Sequence, residues 1–304
     1  MENAAGRFAA EGGGLRVGAL AEASPVRCRI CGAATSLWND RGDVALYRCP
    51  LCGFVSGQAS RSVPAEQRYE DYYCRSAPAS PDARYHEWLA RAEAVVGRGR
   101  LLEVGAGSGG FVRTAVARGW DVDATEISKT ALNGLRTAGA TVFTGDVAAA
   151  RYPDRRFDMV VSLEVIEHLP APLAHLVELC RVTRPGGLLL LTTPNFDGLS
   201  RRCLGVRWRV IDPEHLGYFT PSTLRRTVRR AGYRDVHVRS RSLDVLSWRR
   251  GTGPVGARAF EPFASARLRD TVQGSTVLRF GKALVNSALR VTKLGDSLLL
   301  WARR

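Results

Sequence analysis

The run Leu101-Leu102-Glu103-Val104-Gly105-Ala106-Gly107-Ser108-Gly109-Gly110-Phe111 decides how the chain folds. A short apolar stretch ends around an acid, glycines follow at alternate positions, and an amphipathic segment opens behind them. That order predicts a buried strand handing a glycine-rich turn to a helix N-terminus. Glycine permits positive φ and close approach to bare backbone, and a helix start offers unpaired N–H groups. Such a turn holds a nucleotide-like cofactor. A dinucleotide fingerprint would read G-x-G-x-x-G with a pyrophosphate on the helix dipole. Here the spacing is Glu103-x-Gly105-x-Gly107-x-Gly109. A carboxylate in the strand repels a pyrophosphate and suits a ligand with a cationic amino-acid end.

Strand and helix patterns alternate outward from this turn, which predicts a mainly parallel, doubly wound α/β sheet. A helix over Gly110–Arg118 precedes a second strand, Asp121–Thr125, that ends at Glu126. This acid lies about 20 residues beyond the turn, where a carboxylate takes both ribose hydroxyls of an adenosine group. A helix over Ser128–Thr137 leads to a third strand, Thr141–Thr144, and then Gly145-Asp146-Val147. Phe157–Leu163 is the central fourth strand. Arg184-Pro185-Gly186-Gly187 ends the next helix, and Leu188–Thr193 forms the fifth strand. Tyr233–Ser240 and Asp296–Trp301 complete seven.

After the fourth strand comes Glu164-Val165-Ile166-Glu167-His168. In a helical turn Glu164, Glu167 and His168 stand at i, i+3 and i+4 and share one face. That face lies at the carboxyl end of the sheet, where open α/β folds bind ligands. Two carboxylates and an imidazole so close call for a cation, and a divalent metal is the natural one. A second histidine arrives in Asp212-Pro213-Glu214-His215, ahead of a helix starting near Pro221 with Thr220 as N-cap. His168 or His215 acting as general base without metal is an alternative. A structural role, with the acid bracing a loop, is another.

From Gly99 to about Val238 the chain resembles the class I S-adenosylmethionine (SAM) methyltransferases, with a Rossmann-like seven-stranded sheet. That resemblance implies SAM held by Glu103, Gly105, Ala106, Gly107, Gly109, Glu126, Ile127, Asp146, Val147 and Leu163. In it, Asp146 accepts from the adenine amino group and Val147 packs the ring. Glu-Val-Ile-Glu-His, then Thr193-Pro194-Asn195-Phe196 and a later His, is similar to two metal-using groups. These are the small-RNA 2′-O-methyltransferases and the ubiquinone-pathway O-methyltransferases. By position, Glu164, Glu167, His168 and His215 would ligate Mg2+ or Mn2+. The expected acceptor is a hydroxyl of a small molecule, sugar or glycan. RNA 2′-O-methylation, or N- or C-methylation of a natural-product or sugar intermediate, is the alternative.

Upstream, Cys28-Arg29-Ile30-Cys31-Gly32 is answered by Cys49-Pro50-Leu51-Cys52-Gly53. Two CxxC-Gly knuckles spanned by a strand-like stretch predict a structural zinc ribbon over residues 25–60, its tetrahedral shell closed by four thiolates. Two disulfides are disfavoured by the lack of a secretion signal. Cys74, Cys180 and Cys203 are expected to be small buried hydrophobes. Residues 1–24 are expected to be a disordered tail. A connector over 61–98 carries Tyr69, Tyr72, Tyr73, Tyr85 and Trp88, with a helix over Pro81–Val96. It serves either as a lid or as packing between the ribbon and the main domain.

The net charge is +15, almost all of it arginine, since the lysines are Lys129, Lys282 and Lys293 alone. The excess follows Arg201 and reads first as a solvated face, with an anionic-substrate surface as its sharper alternative. Within an insertion at about 243–294, Val277, Phe280, Leu284, Ala288 and Val291 recur at helical spacing. That helix either packs over the active-site mouth or touches a membrane or partner. No apolar run approaches the ~20 residues that span a bilayer, and the cytoplasm is the expected compartment.

Overall fold

The computed structural model describes residues 26–60, 82–243 and 292–304. The expected tail, Tyr69, Tyr72, Tyr73, Cys74 and the insertion's amphipathic helix therefore lie outside the described residues. The central sheet is built from β4 (Arg100–Val104), β5 (Asp121–Glu126), β6 (Thr141–Thr144), β7 (Phe157–Leu163), β8 (Thr183–Pro194), β10 (Arg234–Arg241) and β11 (Ser297–Arg303). Its strand order is β10-β11-β8-β7-β4-β5-β6. β8, β7, β4, β5 and β6 run parallel, and β11 is antiparallel to both β8 and β10. The order reverses between β4 and β7, and at such a switch point the carboxyl ends of the strands open a crevice.

Alternation along the strands sends neighbouring residues to opposite faces. Leu101, Met159, Val161, Leu190 and Trp301 face α1 (Ala83–Val96), α2 (Gly110–Ala117) and α3 (Lys129–Thr137), in one cluster with Trp88, Leu89, Phe111 and Leu135. Leu102, Val104, Val160, Leu189, Leu191 and Leu300 face α4 (Pro172–Val182) and α6 (Pro221–Arg230), through Leu176, Leu179, Leu224 and Val228. Trp88 is buried and Tyr85 stacks on its ring and on Phe111, so these two aromatics pack α1 onto the main sheet's core.

Glu93 of α1 ties that helix down. Its carboxylate accepts from Arg118 Nε at 2.8 Å, Arg118 Nη2 at 2.7 Å and Trp120 Nε1 at 3.2 Å. The Arg118 hydrogen bonds are the main cause of a carboxyl held down at about 2, against 4.5 for an ordinary one. The folded pKa is depressed, so the stabilisation is present above the unfolded pKa and disappears as pH falls from 4.5 toward 2. At 1.36 kcal/mol per unit this is worth up to about 3 kcal/mol. A Glu93→Gln chain should lose about 2–3 kcal/mol in urea unfolding at pH 7, and the difference from wild type should close near pH 2. An equal gap at both pH values would contradict this assignment.

Several sequence expectations are corrected. Arg184–Gly187 does not cap a helix. α4 ends at Val182, and Thr183–Pro194 is one strand whose register jumps from Phe157↔Thr183 to Met159↔Leu188. Gly186 supplies φ +78 for that bulge, and its N–H donates to Arg304 O. Cys180 is buried as expected, but Cys203 is exposed on α5 (Leu199–Leu204). Thr220 does cap α6, through a reciprocal hydrogen-bond pair with Thr223.

The N-terminal strands β1 (Ser36–Asp40), β2 (Val44–Arg48) and β3 (Val55–Ala59) form an antiparallel meander. It is not self-contained. A fourth strand, β9 (Gly217–Tyr218), comes from the region after His215 and pairs with β3 as Val55↔Tyr218 and Ser56↔Gly217. Val44, Leu46 and Val55 then share a small core with Trp208, Ile211, Tyr218 and Phe196. Among the described residues no helix is long and apolar enough to cross a membrane.

Candidate active site

β4 delivers the glycine turn to the crevice, with Gly105, Gly107 and Gly109 at φ +68, +54 and +74. A Cβ at Gly105 would come within 2.6 Å of Val165 Cγ2, and one at Gly109 within 2.8 Å of Leu135. These positions therefore need glycine for conformation and for space. Glu126, 4% exposed at the end of β5, accepts from Gly107 N (2.7 Å), Ile127 N (2.8 Å) and Ser128 N (2.9 Å). One carboxylate thus joins the glycine turn to the start of α3.

Glu103 lies beside it, 3% exposed, with no hydrogen-bond partner for Oε2 among the described residues. Burial, and secondly the charge of Glu126, pushes its carboxyl well above the usual range. The Val112 backbone N–H serves the carboxyl, but a buried carboxylate oxygen left unpartnered is costly unless something cationic meets it, and a ligand's ammonium group fits. Asp146 is exposed, and its Oδ1 caps Ala149 N at 2.7 Å. Val147 belongs to the core cluster, buried to 1% exposure, while Ala106 is buried and Ile127 and Leu163 are half-buried at the strand ends.

Across the switch point, Glu167, His168 and His215 each offer a ligand atom, all within 4.8 Å of one another. The expected fourth member, Glu164, is not in that group. Glu164 takes φ +55, and only Ile166–His168 is helical, as a tight 3-10 turn, so the i, i+3, i+4 alignment of an α-helix does not form. Glu164 is exposed and meets Glu167 through a carboxyl–carboxyl hydrogen bond. Burial, then the charge of Glu164, raises the Glu167 carboxyl well above its ordinary value.

Each member of the group is oriented by a neighbour. Thr193 Oγ1 donates to Glu167 Oε2 at 2.9 Å. His168 Nδ1 meets Glu214 O at 3.1 Å, and His215 Nδ1 meets Val210 O at 2.5 Å. A carbonyl only accepts, so both Nδ1 atoms carry a proton, and in a neutral ring Nε2 is then the lone-pair nitrogen. Burial lowers the His215 pKa and favours that neutral form. The two rings meet edge-on, 4.7 Å apart. A carboxylate and two imidazoles backed by carbonyls and a hydroxyl are a donor set suited to a divalent ion. Thr193 was quoted in the sequence only as part of a motif; the register of β8 is what aims it at Glu167.

In the ribbon, Cys28, Cys31, Cys49 and Cys52 converge. The Sγ separations are 3.5 Å (Cys28–Cys52), 3.5 Å (Cys31–Cys49) and 3.7 Å (Cys31–Cys52). A disulfide needs ~2.05 Å, whereas the edge of a tetrahedron with 2.3 Å Zn–S bonds is about 3.8 Å. The knuckles repeat each other: Gly32 N donates to Cys28 O and Gly53 N to Cys49 O, both at 2.9 Å. Burial opposes ionisation of Cys49, but the N–H of Cys52 and the Cys31 and Cys52 thiols outweigh it and bring its pKa to about 7.

A Rossmann-like sheet with a glycine turn after its first strand, an acid after its second and a polar group across the switch point defines a cofactor-binding α/β transferase fold. A family model described as a methyltransferase domain matches residues 75–238, more than half of the chain, and the chain belongs to that family. It is 34% identical over 167 residues to the malonyl-[acyl-carrier protein] O-methyltransferase of Serratia marcescens, covering 52% of this chain and 64% of that one. It is 28% identical over 166 residues to a ubiquinone biosynthesis O-methyltransferase of Cereibacter sphaeroides, covering 49% and 66%. The chain thus spans just under two thirds of these relatives' lengths. The fold matches a crystal structure of a SAM-dependent methyltransferase from Archaeoglobus fulgidus with a TM-score of 0.51 at 16% identity, over 79% of this chain and all of that one.

Proposed function

We propose that the chain transfers a methyl group from SAM to a hydroxyl of a small molecule, sugar or glycan, and that its four-thiol cluster holds a structural zinc. The observation carrying this reading is that two polar groups sit at the carboxyl ends of the strands on either side of the switch point. One is the Glu103/glycine-turn/Glu126 side, fit for an adenosyl amino acid. The other is Glu167, His168 and His215, fit for an acceptor hydroxyl and a divalent ion. Two O-methyltransferases among the relatives favour oxygen as the acceptor atom.

Glu103 meets the ammonium end of the cofactor, and Glu126 has acceptor capacity left for ribose beyond its three N–H donors. A divalent ion such as Mg2+ or Mn2+ supplies Lewis acidity, which lowers the pKa of a hydroxyl at neutral pH. Glu167, His168 and His215 would hold it, and Thr193 keeps the Glu167 carboxyl aimed. As the acceptor oxygen bonds to the methyl carbon, the C–S bond breaks and S-adenosylhomocysteine leaves; the acceptor proton passes to water where the histidines hold an ion, and to a free neutral Nε2 where they do not. The paired groups hold the acceptor oxygen in line for attack, which is where much of the barrier reduction arises.

Labelled SAM incubated with hydroxylated metabolite and glycan pools tests the reaction. Glu167→Gln and His215→Gln should each lower turnover by about 10²–10⁴-fold with S-adenosylhomocysteine affinity unchanged. Unchanged turnover in both variants would remove the acceptor-side assignment. Failure of the wild type to bind S-adenosylhomocysteine would remove the methyltransferase reading itself.

A further inference from the structure

The four-thiol ribbon and the acceptor-side group are joined through one residue. Leu216 N donates to Glu167 O at 2.8 Å, and Leu216 O accepts from Gly57 N at 3.1 Å. Leu216 follows His215 directly, and the next two residues are β9, the fourth strand of the ribbon's own sheet. Gly57 sits so close to His215 that a Cβ there would fall inside contact distance of the His215 carbonyl oxygen, with Tyr218 Cε2 at 3.1 Å behind it. The knuckles are clamped from the same side. Arg29 Nη1 donates to Pro170 O (3.2 Å), just beyond His168; Arg226 Nη2 donates to Cys52 O (2.9 Å) and Arg230 Nη1 to Ile30 O (3.2 Å) from α6. Phe54, two residues after Cys52, packs on Phe219 at 5.0 Å.

We propose that the ribbon is the positioning element of the acceptor-side group: a metal held by the four thiols fixes β3, and β3, through Gly57 and the Leu216 peptide, fixes where His215 stands against Glu167. Gly57 is then a positioning residue, conserving room for the His215 carbonyl. It touches neither cofactor nor acceptor. The physical reason is that β9 is two residues long and cannot hold itself, because a strand so short gains its order from its neighbour. His215 precedes it in an irregular loop whose other anchors are Val210 O, Asp212 O and, through Glu214 O, His168 Nδ1. Without an ordered β3 edge, Leu216 keeps one of its two partners, and the His215 ring, held from that side by its own loop alone, shifts against Glu167. The glycine turn and Glu126 lie on the far side of the switch point and are untouched by this linkage. This inference rests on the proposed reading for the word acceptor, but its geometry does not.

The test reads the histidine rather than the methyl transfer. The chain has five histidines, so long-range 1H–15N spectra of the intact protein can follow the His215 ring and its Nδ1–H tautomer. p-Hydroxymercuribenzoate titrates thiols and releases a thiolate-bound zinc without chelating a carboxylate–imidazole site. The His215 signals should shift or broaden in step with zinc release, while S-adenosylhomocysteine binding by calorimetry stays within twofold of the start. Gly57→Ala, with zinc content and S-adenosylhomocysteine affinity retained, should move the same signals and weaken Mn2+ binding, read by electron paramagnetic resonance, by at least about tenfold. Leu37→Ser, at an exposed ribbon position, should do neither. Unmoved His215 signals through complete zinc release, or wild-type Mn2+ affinity in Gly57→Ala, overturn the proposal and leave the methyltransferase reading standing. Loss of S-adenosylhomocysteine binding in the untreated wild type overturns that reading instead.

Discussion

Replacing Glu126 with alanine should raise the dissociation constant for S-adenosylhomocysteine by about 10–10²-fold, the largest single-residue effect expected on the cofactor side. A hydrogen bond to a charged group is worth about 1.5–3 kcal/mol, and the one acceptor site that Glu126 keeps beside its three N–H donors takes one ribose hydroxyl. At about 1.4 kcal/mol per tenfold, that gives the stated range. The same substitution orphans the N–H groups of Gly107, Ile127 and Ser128. Each buried unpaired donor costs about 1–3 kcal/mol, so the melting temperature falls as well. Glu126→Gln separates the two effects. It keeps one carbonyl oxygen for Ile127 and Ser128 but turns an N–H₂ toward Gly107, so it should retain much of the stability and little of the affinity. Calorimetry and thermal unfolding on both variants check this. Wild-type affinity in Glu126→Ala would end the assignment of ribose to that carboxylate.

The parts of the molecule legible from sequence are those whose signal is local. Strand limits at Thr141–Thr144 and Phe157–Leu163 follow from apolar runs cut by Gly-Asp and by Glu164. The start of α6 follows from Thr220-Pro221, where a hydroxyl cap and a fixed φ coincide. The four cysteines come from two tight turns with the same hydrogen-bond pattern, and that local pattern is what the CxxC-Gly spacing encodes. What sequence did not carry is long-range. Gly217-Tyr218 has no periodicity to mark it as a strand, and only the edge of β3 makes it one. Glu164 was expected as a ligand from helical spacing and from the resemblance, whereas at φ +55 it lies outside the helical turn and reaches the group only through Glu167. Arg184–Gly187 has the composition of a helix stop and is instead absorbed as a bulge within β8, because β11 and the chain end supply partners for it. In each case a neighbour distant in sequence overrides the local preference.

Replacing Cys49 with serine should abolish zinc retention and selectively unfold residues 26–60. The ribbon's own apolar content is small: Val44, Leu46, Val55 and Phe54 are its buried side chains of any size beside the knuckles, and three of them need Trp208, Ile211 or Tyr218 to be covered. A meander of three short strands is marginal alone, so a metal on the four thiols would supply the difference. Structural zinc sites in small modules provide about 10–16 kcal/mol of apparent folding free energy. Serine at Cys49 removes a thiolate and leaves a hydroxyl too weakly acidic to replace it, and the remaining thiols lie in a half-buried cluster with nothing to hold them together. Elemental analysis should fall from about one zinc per chain to near none. Limited proteolysis should cut first between the knuckles, and amide exchange should accelerate through 26–60 before the central sheet responds. Cys28, Ile30, Cys49 and Phe54 share one apolar cluster with Phe219 and the sheet, so exchange near Phe219 should rise next. A zinc-free Cys49→Ser chain with an intact, protease-resistant ribbon would show that the apolar contacts suffice and that the four thiols serve some end other than folding.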